Sequence, residues 1–477
     1  MSYQENKVDW IVNEFRNLDP EDPRLFDRFL VTAQLLASKP LDCIHKACGS
    51  WSAAKGAYRL FSNVKLQAAD IFSCHQAETA RRIAEHKLVF AIQDTCFLDY
   101  ETHTKTKGLG SVSKGYGRKD KLGLIVHPTY VVTEKALPLG LLTWSSWARP
   151  ARESRSKYQL LMANYHRETK DKESGKWLKA LGEMHELVSG TKVVTLADRE
   201  ADMFQFMAEH DKIGRSFVIR NRVNRRLDRS KYTKPKMHDL LKVQKPSGFL
   251  SIEVPARPGR IERIAKLAIR FQHVTTPIRS NIKGGISKNR EGLPGTISFN
   301  LIHAIEVDPP DQTEKIDWYL MTNEPVSNFK QAVEKINWYK LRWQIETFFR
   351  TLKSGCKIED ARLGEAKRLE KYNVLMATVA WRICYMTHVG RVAPKKPCTE
   401  ILAEDQWKAL YCRTKRTNKV PKKPPTTREA ITWIAQLGGF LNRKGDGAPG
   451  PMSIWRGWQA LEEMMPMYLI MNSPRPP

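Results

Sequence analysis

Two short apolar runs each stop on an aspartate: residues 88–93 (Leu-Val-Phe-Ala-Ile-Gln) lead into Asp94, and 192–197 (Lys-Val-Val-Thr-Leu-Ala) lead into Asp198. Runs this short, rich in branched aliphatic residues and without polar alternation, read as buried strands. A chain built on such strands folds as an α/β protein, with acids at the strand ends. Functional groups in α/β sheets gather beyond the carboxyl ends of strands. A single strand-end Asp is more often a turn or cap residue, so neither is specific alone.

At 477 residues the chain exceeds one hydrophobic core, which points to two or three domains. Residues 1–70 read as short helices. Asp22-Pro23 starts one that carries Arg24 and Arg28, and Ser50-Trp51-Ser52 caps another. Residues 123–133 and 138–143 continue the strand pattern, and a helix is expected near 174–188. From 216 to 322 the sequence is mostly strands and turns, at 217–220, 250–254, 264–271, 297–302 and 318–322, as if a β-rich segment were inserted into an α/β domain. A helix is expected over about 328–352, ending at Gly355, and Pro-interrupted helical sequence follows. The run 413–423 reads as a solvated loop between helices.

Charge narrows the partner. Lys+Arg number 79 against 51 Asp+Glu, a formal +28 that recurs in segments 212–236, 257–290 and 413–423. This favours a polyanion, nucleic acid before membrane lipid. The sequence contains no apolar stretch long enough to cross a bilayer and no signal-peptide pattern in its first 30 residues, which reads as an intracellular protein. The eight cysteines form no repeated metal-binding pair. Cys43, His45 and Cys48 look like the start of a zinc site that nothing downstream completes, so reduced buried thiols are the expectation.

The helix near 340 carries the chemistry. Tyr339, Arg342, Glu346, Arg350 and Lys353 share one face at 3.6 residues per turn, while Leu341, Ile345, Phe348 and Leu352 form a separate apolar stripe. Alone, such a helix is ordinarily a solvated surface with ion pairs. Beside Asp94 and Asp198, Glu346 makes a third hard oxygen ligand of the kind that suits octahedral Mg²⁺, with Mn²⁺ able to substitute. Two ions about 3.5–4 Å apart can activate the attacking oxygen and stabilise the leaving one at a phosphodiester, with no Ser or Cys nucleophile.

The Tyr339-x2-Arg342-x3-Glu346-x6-Lys353 spacing resembles the signature of the insertion-sequence-four family of bacterial cut-and-paste DDE transposases. Asp198-Arg199-Glu200-Ala201-Asp202 and Ile92-Gln93-Asp94-Thr95 are similar to the family's second- and first-aspartate motifs. Glu173-Ser174-Gly175-Lys176-Trp177, Phe217-Val218-Ile219-Arg220 and Leu437-Gly438-Gly439-Phe440 resemble further segments. The resemblance implies an RNase-H-like catalytic core over 71–370 with a β-rich insertion at about 215–315. This core is flanked by an N-terminal helical DNA-binding module (1–70) and a C-terminal helical dimerisation domain (371–477).

It also implies roles. Asp94, Asp198 and Glu346 become ligands of two Mg²⁺ ions, and Tyr339, Arg342 and Lys353 hold phosphates of the transposon end. Arg350 replaces a family lysine. Trp318, 21 residues before Tyr339, becomes a base-stacking residue or, equally, a core aromatic. Arg220, Arg222, Arg24, Arg28 and Lys55 are further candidate DNA contacts; for Arg24 and Arg28 an exposed helix face without a partner is the alternative. The implied partners are double-stranded DNA at inverted-repeat transposon ends, target DNA, and a second copy of the chain in a synaptic homodimer. The setting is the bacterial cytoplasm and nucleoid, with no membrane. The implied activity is nicking, hairpin formation, hairpin opening and strand transfer. A silent DNA-binding inhibitor and a structure-specific nuclease are the rival readings.

Overall fold

The computed structural model describes residues 9–472 apart from 113–120, 151–155, 157, 160–161, 163–167, 228–229, 255–261, 279–292 and 311–312. Parts of the basic segments 212–236 and 257–290 therefore lie outside the described residues. The chain opens with helices α1 (Trp10–Phe15), α2 (Pro23–Ser38), α3 (Ile44–Cys48), α4 (Trp51–Ser62) and α5 (Ala68–Ala84). Strands β1 (Leu88–Gln93), β2 (Cys96–Asp99), β3 (Gly110–Ser111), β4 (Leu122–Val132) and β5 (Pro138–Trp147) follow. Next come α6 (Gly175–Leu187), β6 (Lys192–Ala197), α7 (Phe204–Lys212), β7 (Ser216–Arg220) and α8 (Met237–Lys242). The strands β8 (Gly248–Val254), β9 (Arg263–Pro277), β10 (Thr296–Glu306) and β11 (Asp317–Thr322) lead to α9 (Phe329–Lys340) and α10 (Trp343–Arg350). Helices α11 (Ala366–Val392), α12 (Glu404–Lys415), α13 (Thr427–Leu437) and α14 (Pro451–Asn472) complete the described chain.

The residues fall into two compact units, one made of 83–94 and 152–343 and the other of 1–82, 95–151 and 344–477. The first is organised by a mixed sheet. Strands β1, β6 and β7 run parallel, and residues 89–93 and 193–197 are buried on both faces, as parallel central strands require. Beyond β7 the direction reverses: β11, β10, β9 and β8 pair antiparallel in turn, so the β-rich insertion extends the same sheet instead of forming a separate body. Helices α6 and α7 contribute Trp177 and Phe206, whose rings meet edge-on at 6.0 Å. His210 of α7 hydrogen-bonds Thr195 Oγ1 on β6 at 2.9 Å, and burial pushes its imidazole down to about 4.

The second unit is built on α11, a 27-residue helix buried along nearly its whole length. Its Trp381 donates to the Pro138 carbonyl of β5 at 3.2 Å and lies under Arg82, 4.3 Å from the ring centroid. Arg82 also grips Glu14 of α1 with two 2.9 Å bonds, and Glu14 meets the buried His75. In the same unit β4 pairs antiparallel with β2, β3 and β5.

Local chemistry explains the helix starts read from the sequence. Asp22 accepts from the Arg24 backbone at 3.0 Å with Pro23 in the first turn, and Ser50 accepts from Ala53 at 3.2 Å. Elsewhere the structure corrects the sequence reading. The expected single helix over 328–352 is two: the Leu341 and Arg342 amides bond back three residues, to Trp338 and Tyr339 at 3.0 Å, which tightens the backbone into a turn between α9 and α10. A π-helical turn, Thr351–Gly355, then ends α10. Residues 68–84 form a helix the sequence reading passed over. The supposed loop from 413 begins only after α12 ends at Lys415. The eight cysteines are free, and all but Cys43 and Cys412 are buried. Among the described residues no helix is long and apolar enough to cross a membrane.

Candidate active site

The register of the parallel strands sets the geometry. Ile92 pairs with Leu196, and Ala197 pairs with Ile219. Carried on to the strand ends, the same register places Asp94 level with Asp198, and Asp198 level with Arg220. Neighbouring strands lie about 4.8 Å apart, so two carboxylates and a guanidinium stand in one row along the carboxyl edge of the sheet. Asp198 also caps the 3₁₀ turn Arg199–Ala201 by accepting from Glu200 at 2.8 Å.

Arg342, from the turn after α9, reaches this row. Its Nη1 lies 3.2 Å from Asp94 Oδ2, with the side chains only 10% and 21% exposed. The guanidinium sits 5.0 Å from the Trp343 ring centroid and 5.9 Å from that of Tyr339. Tyr339 is buried; burial pushes its phenol up, and Arg342 and Arg220 pull it back. Burial holds the Arg220 guanidinium below its ordinary value, with Tyr339 opposing that shift; Arg220 also donates to the Asp317 carbonyl at 3.3 Å. Trp318 packs edge-on against Tyr339 at 5.7 Å and is 9% exposed, so most of its indole is already covered by protein. Arg222 is exposed.

The remaining candidates belong to the other unit, since the boundary falls inside α10, between Trp343 and Gln344. Glu346 is in the first turn of α10 and partly buried, and Arg350 at its end is exposed. Lys353, in the π turn, donates to the Phe97 carbonyl at 2.5 Å and pairs with Glu359 at 2.8 Å; Glu359 in turn accepts from the Asp99 amide at 2.7 Å. Arg24, Arg28 and Lys55 converge. With Asp22, Ser52, Asn63 and Arg59, which are not among the predicted DNA contacts, they line one groove between α2 and α4. Gly56 leaves room for the Arg28 side chain: a Cβ there would stand 2.5 Å from Arg28 Nη1, so a larger residue would displace that guanidinium. Arg59 lies one helical turn beyond Lys55, and that four-residue spacing was its available signal.

The donor set at the strand edge suits a hard divalent cation, since it offers carboxylate oxygens and neither thiol nor imidazole. In this structure the cation beside Asp94 is Arg342. Among the described residues no group of three or more His, Cys, Asp or Glu stands close enough together to hold a metal ion. Chemically, the row can bind a phosphodiester through its guanidiniums and a divalent ion through its carboxylates.

Three family models match the chain. One described as transposase DNA-binding covers residues 7–66, one described as transposase DDE domain covers 159–381, and one described as transposase Tn5 dimerisation domain covers 378–466. Arg24, Arg28 and Lys55 fall within the first match; Asp198, Arg220, Arg222, Trp318, Tyr339, Arg342, Glu346, Arg350 and Lys353 fall within the second; Asp94 precedes it.

Proposed function

We propose that this chain, a DDE transposase resembling that of Tn5 and consistent with the insertion-sequence-four family, carries out cut-and-paste transposition: it binds inverted-repeat ends, excises them and joins them to target DNA. The observation that carries this reading is the register that sets Asp94, Asp198 and Arg220 in one row, with Arg342 closing on Asp94. Dependence on a divalent metal follows from the DDE domain; Mg²⁺, as a pair of ions with Mn²⁺ able to substitute, is our assignment. Asp94 and Asp198 would hold it. Glu346 is the third carboxylate in this reading because of its spacing from Arg342. When bound, the ions supply Lewis acidity at the scissile phosphate.

The protein's own groups do the rest. Arg342 and Arg220 present planar donor forks that bind phosphate oxygens two at a time and align the phosphodiester for in-line attack. Tyr339, buried and flanked by both guanidiniums, holds Arg342 in place through its ring face. Lys353 contributes a point charge to the end phosphates. Residues 1–70 grip the end through the α2–α4 groove, 71–370 carry the chemistry, and 371–477 pair two protomers so that two ends are held together. Because nicking, hairpin formation, hairpin opening and strand transfer are all displacements at phosphorus, one site serves the four steps.

The test is a plasmid carrying the inverted repeats that flank the coding region, incubated with the protein and Mg²⁺. Nicking at the repeat, a hairpin on the excised end and joined products are the expected result. Nicking without joining would reduce the protein to a nuclease, and end binding without any cleavage would make it an inhibitor.

A further inference from the structure

Asp202 stands four residues past Asp198 in the same short turn, yet its carboxylate faces the opposite task. Its side chain is 0% exposed. Oδ2 accepts from the backbone amides of Arg222 at 2.6 Å and Val223 at 2.9 Å, and from the Asn221 side chain at 2.9 Å. Oδ1 meets the guanidinium of Arg225, a side chain itself 6% exposed. Every one of these donors lies in 221–225, the segment that leaves β7 directly after Arg220. A fully buried carboxylate that takes two successive backbone amides and a buried guanidinium is engaged by protein donors, and those partners fix a backbone path.

The same segment is held from its other side. The Asn221 amide donates to the Tyr319 carbonyl at 2.7 Å, and His238 of α8 meets the Asn221 side-chain oxygen while stacking on Tyr319 with centroids 3.8 Å apart. His238 also donates from its backbone to the Asn224 side chain at 2.9 Å, and Arg225 lies 4.8 Å from the Phe204 ring centroid. The 221–225 segment has neither helix nor strand structure. Side-chain bonds do for it what a ladder does for a strand, and Asp202 supplies four of them.

We infer that Asp202 is a positioning residue: it clamps the 221–225 segment so that Arg220 and Arg222 are presented as a fixed cationic rim beside Asp198, preordered for DNA phosphate. This rests on the proposed function. Holding both arginines before DNA arrives removes an ordering cost that a free loop would incur on binding. The second aspartate motif thus carries two acids with divided work, Asp198 for the cation and Asp202 for the phosphate grip.

The experiment compares the wild type with Asp202→Asn, the double variant Asp202→Asn/Arg225→Gln, and Asp198→Asn. The double variant removes both charges of the buried pair, so a role limited to charge neutrality in the fold is rescued by it. Binding to a labelled duplex cut from the flanking inverted repeat is measured against salt in EDTA, beside a melting curve and nicking in Mg²⁺. Asp202→Asn and the double variant are expected to bind about tenfold more weakly near 0.15 M salt. Their log–log salt slope should be flatter by roughly 0.9 to 1.8, the loss of one or two phosphate contacts. Nicking at saturating protein should fall as well, because Arg220 also aligns the scissile phosphodiester. Wild-type salt slopes in both variants, with melting temperatures intact, would overturn the proposal, as would recovery of the wild-type slope by the double variant. If instead Asp198→Asn still nicks, the assignment of the active site itself fails, whatever Asp202 does.

Discussion

Arg28 and Arg342 are the same side chain in opposite surroundings. Arg28 lies exposed in the α2–α4 groove, among Arg24, Lys55 and Arg59, where like charges crowd and water screens them. Arg342 is 8% exposed and faces a carboxylate, two aromatic rings and a second guanidinium. An exposed basic groove gains affinity by releasing counterions from DNA and tolerates substitution, because an ion pair such as Arg24–Asp22, at 3.2 Å, is solvent-exposed and costs little to break. A buried, balanced cluster gains orientation instead, and removing one member leaves another uncompensated. The groove should therefore govern how tightly an end is held, and the strand edge how it is cut.

The largest effect that would break this division is at the acids. Asp94→Asn, Asp198→Asn and Glu346→Gln are each expected to lower nicking by roughly 100-fold or more while end binding by gel shift stays near wild type. Asp94→Asn should also melt lower than Asp198→Asn, because it neutralises the carboxylate 3.2 Å from the Arg342 guanidinium; equal melting temperatures would show that the ion pair contributes nothing. Next comes Trp318→Ala. At 9% exposure, its truncation should cost about 3–5 kcal/mol and depress melting temperature, nicking and hairpin yield together. A selective loss of hairpin with unchanged melting would instead support base stacking.

Phosphate contacts come third. Arg342→Ala and Lys353→Ala should each flatten the salt slope of end binding by about 0.9, with Arg342→Ala the more damaging to nicking. Arg24→Ala, Arg28→Ala and Lys55→Ala should flatten the slope comparably yet leave melting and the cleavage rate of bound ends unchanged, which sharpens the contrast with Arg342. Parity of Arg28→Ala and Arg342→Ala in the cleavage of bound ends would erase the distinction.

The smallest effect lies away from both regions. Glu462 of α14, bonded to Gln406 at 2.6 Å, is pushed up by burial to about 7. Its folded value lies above the unfolded one, so the stability it lends is complete below about pH 4.5 and is lost as pH rises through 7. Glu462→Gln should raise the melting temperature at pH 8, corresponding to at most about 3 kcal/mol, and change nothing at pH 4. An equal shift at both pH values would show that ionisation is not the cause.

Much of this was legible in the sequence. The runs ending at Asp94 and Asp198, the caps at Asp22 and Ser50, and the insertion strands depend on local pattern, and the structure has them within a few residues of where the pattern put them. What was hidden depends on register or on contacts between distant residues. No periodicity announces that Asp94 stands level with Asp198, or that Arg342 reaches back 248 positions to Asp94. The break at Leu341 and Arg342 was invisible because their side chains fit a continuous helix. The motif around Asp202 does not reveal its task, since its partners lie about 20 residues on, in a segment with no regular structure.

The way unit boundaries cut the chain has a consequence for how the protein is made. The α11-based unit needs residues 1–82, 95–151 and 344–477 together, so its last part emerges about 190 residues after residue 151. At roughly 5–20 residues per second on the ribosome, that interval is of the order of 10–40 s. Throughout it Phe61 lacks Tyr372, its edge-on partner at 5.7 Å, and the Ala37 carbonyl lacks the Trp458 donor that later meets it at 3.1 Å. Helices α4 and α2 thus wait for α11 and α14 before these contacts are complete, and in that interval their faces lack native cover.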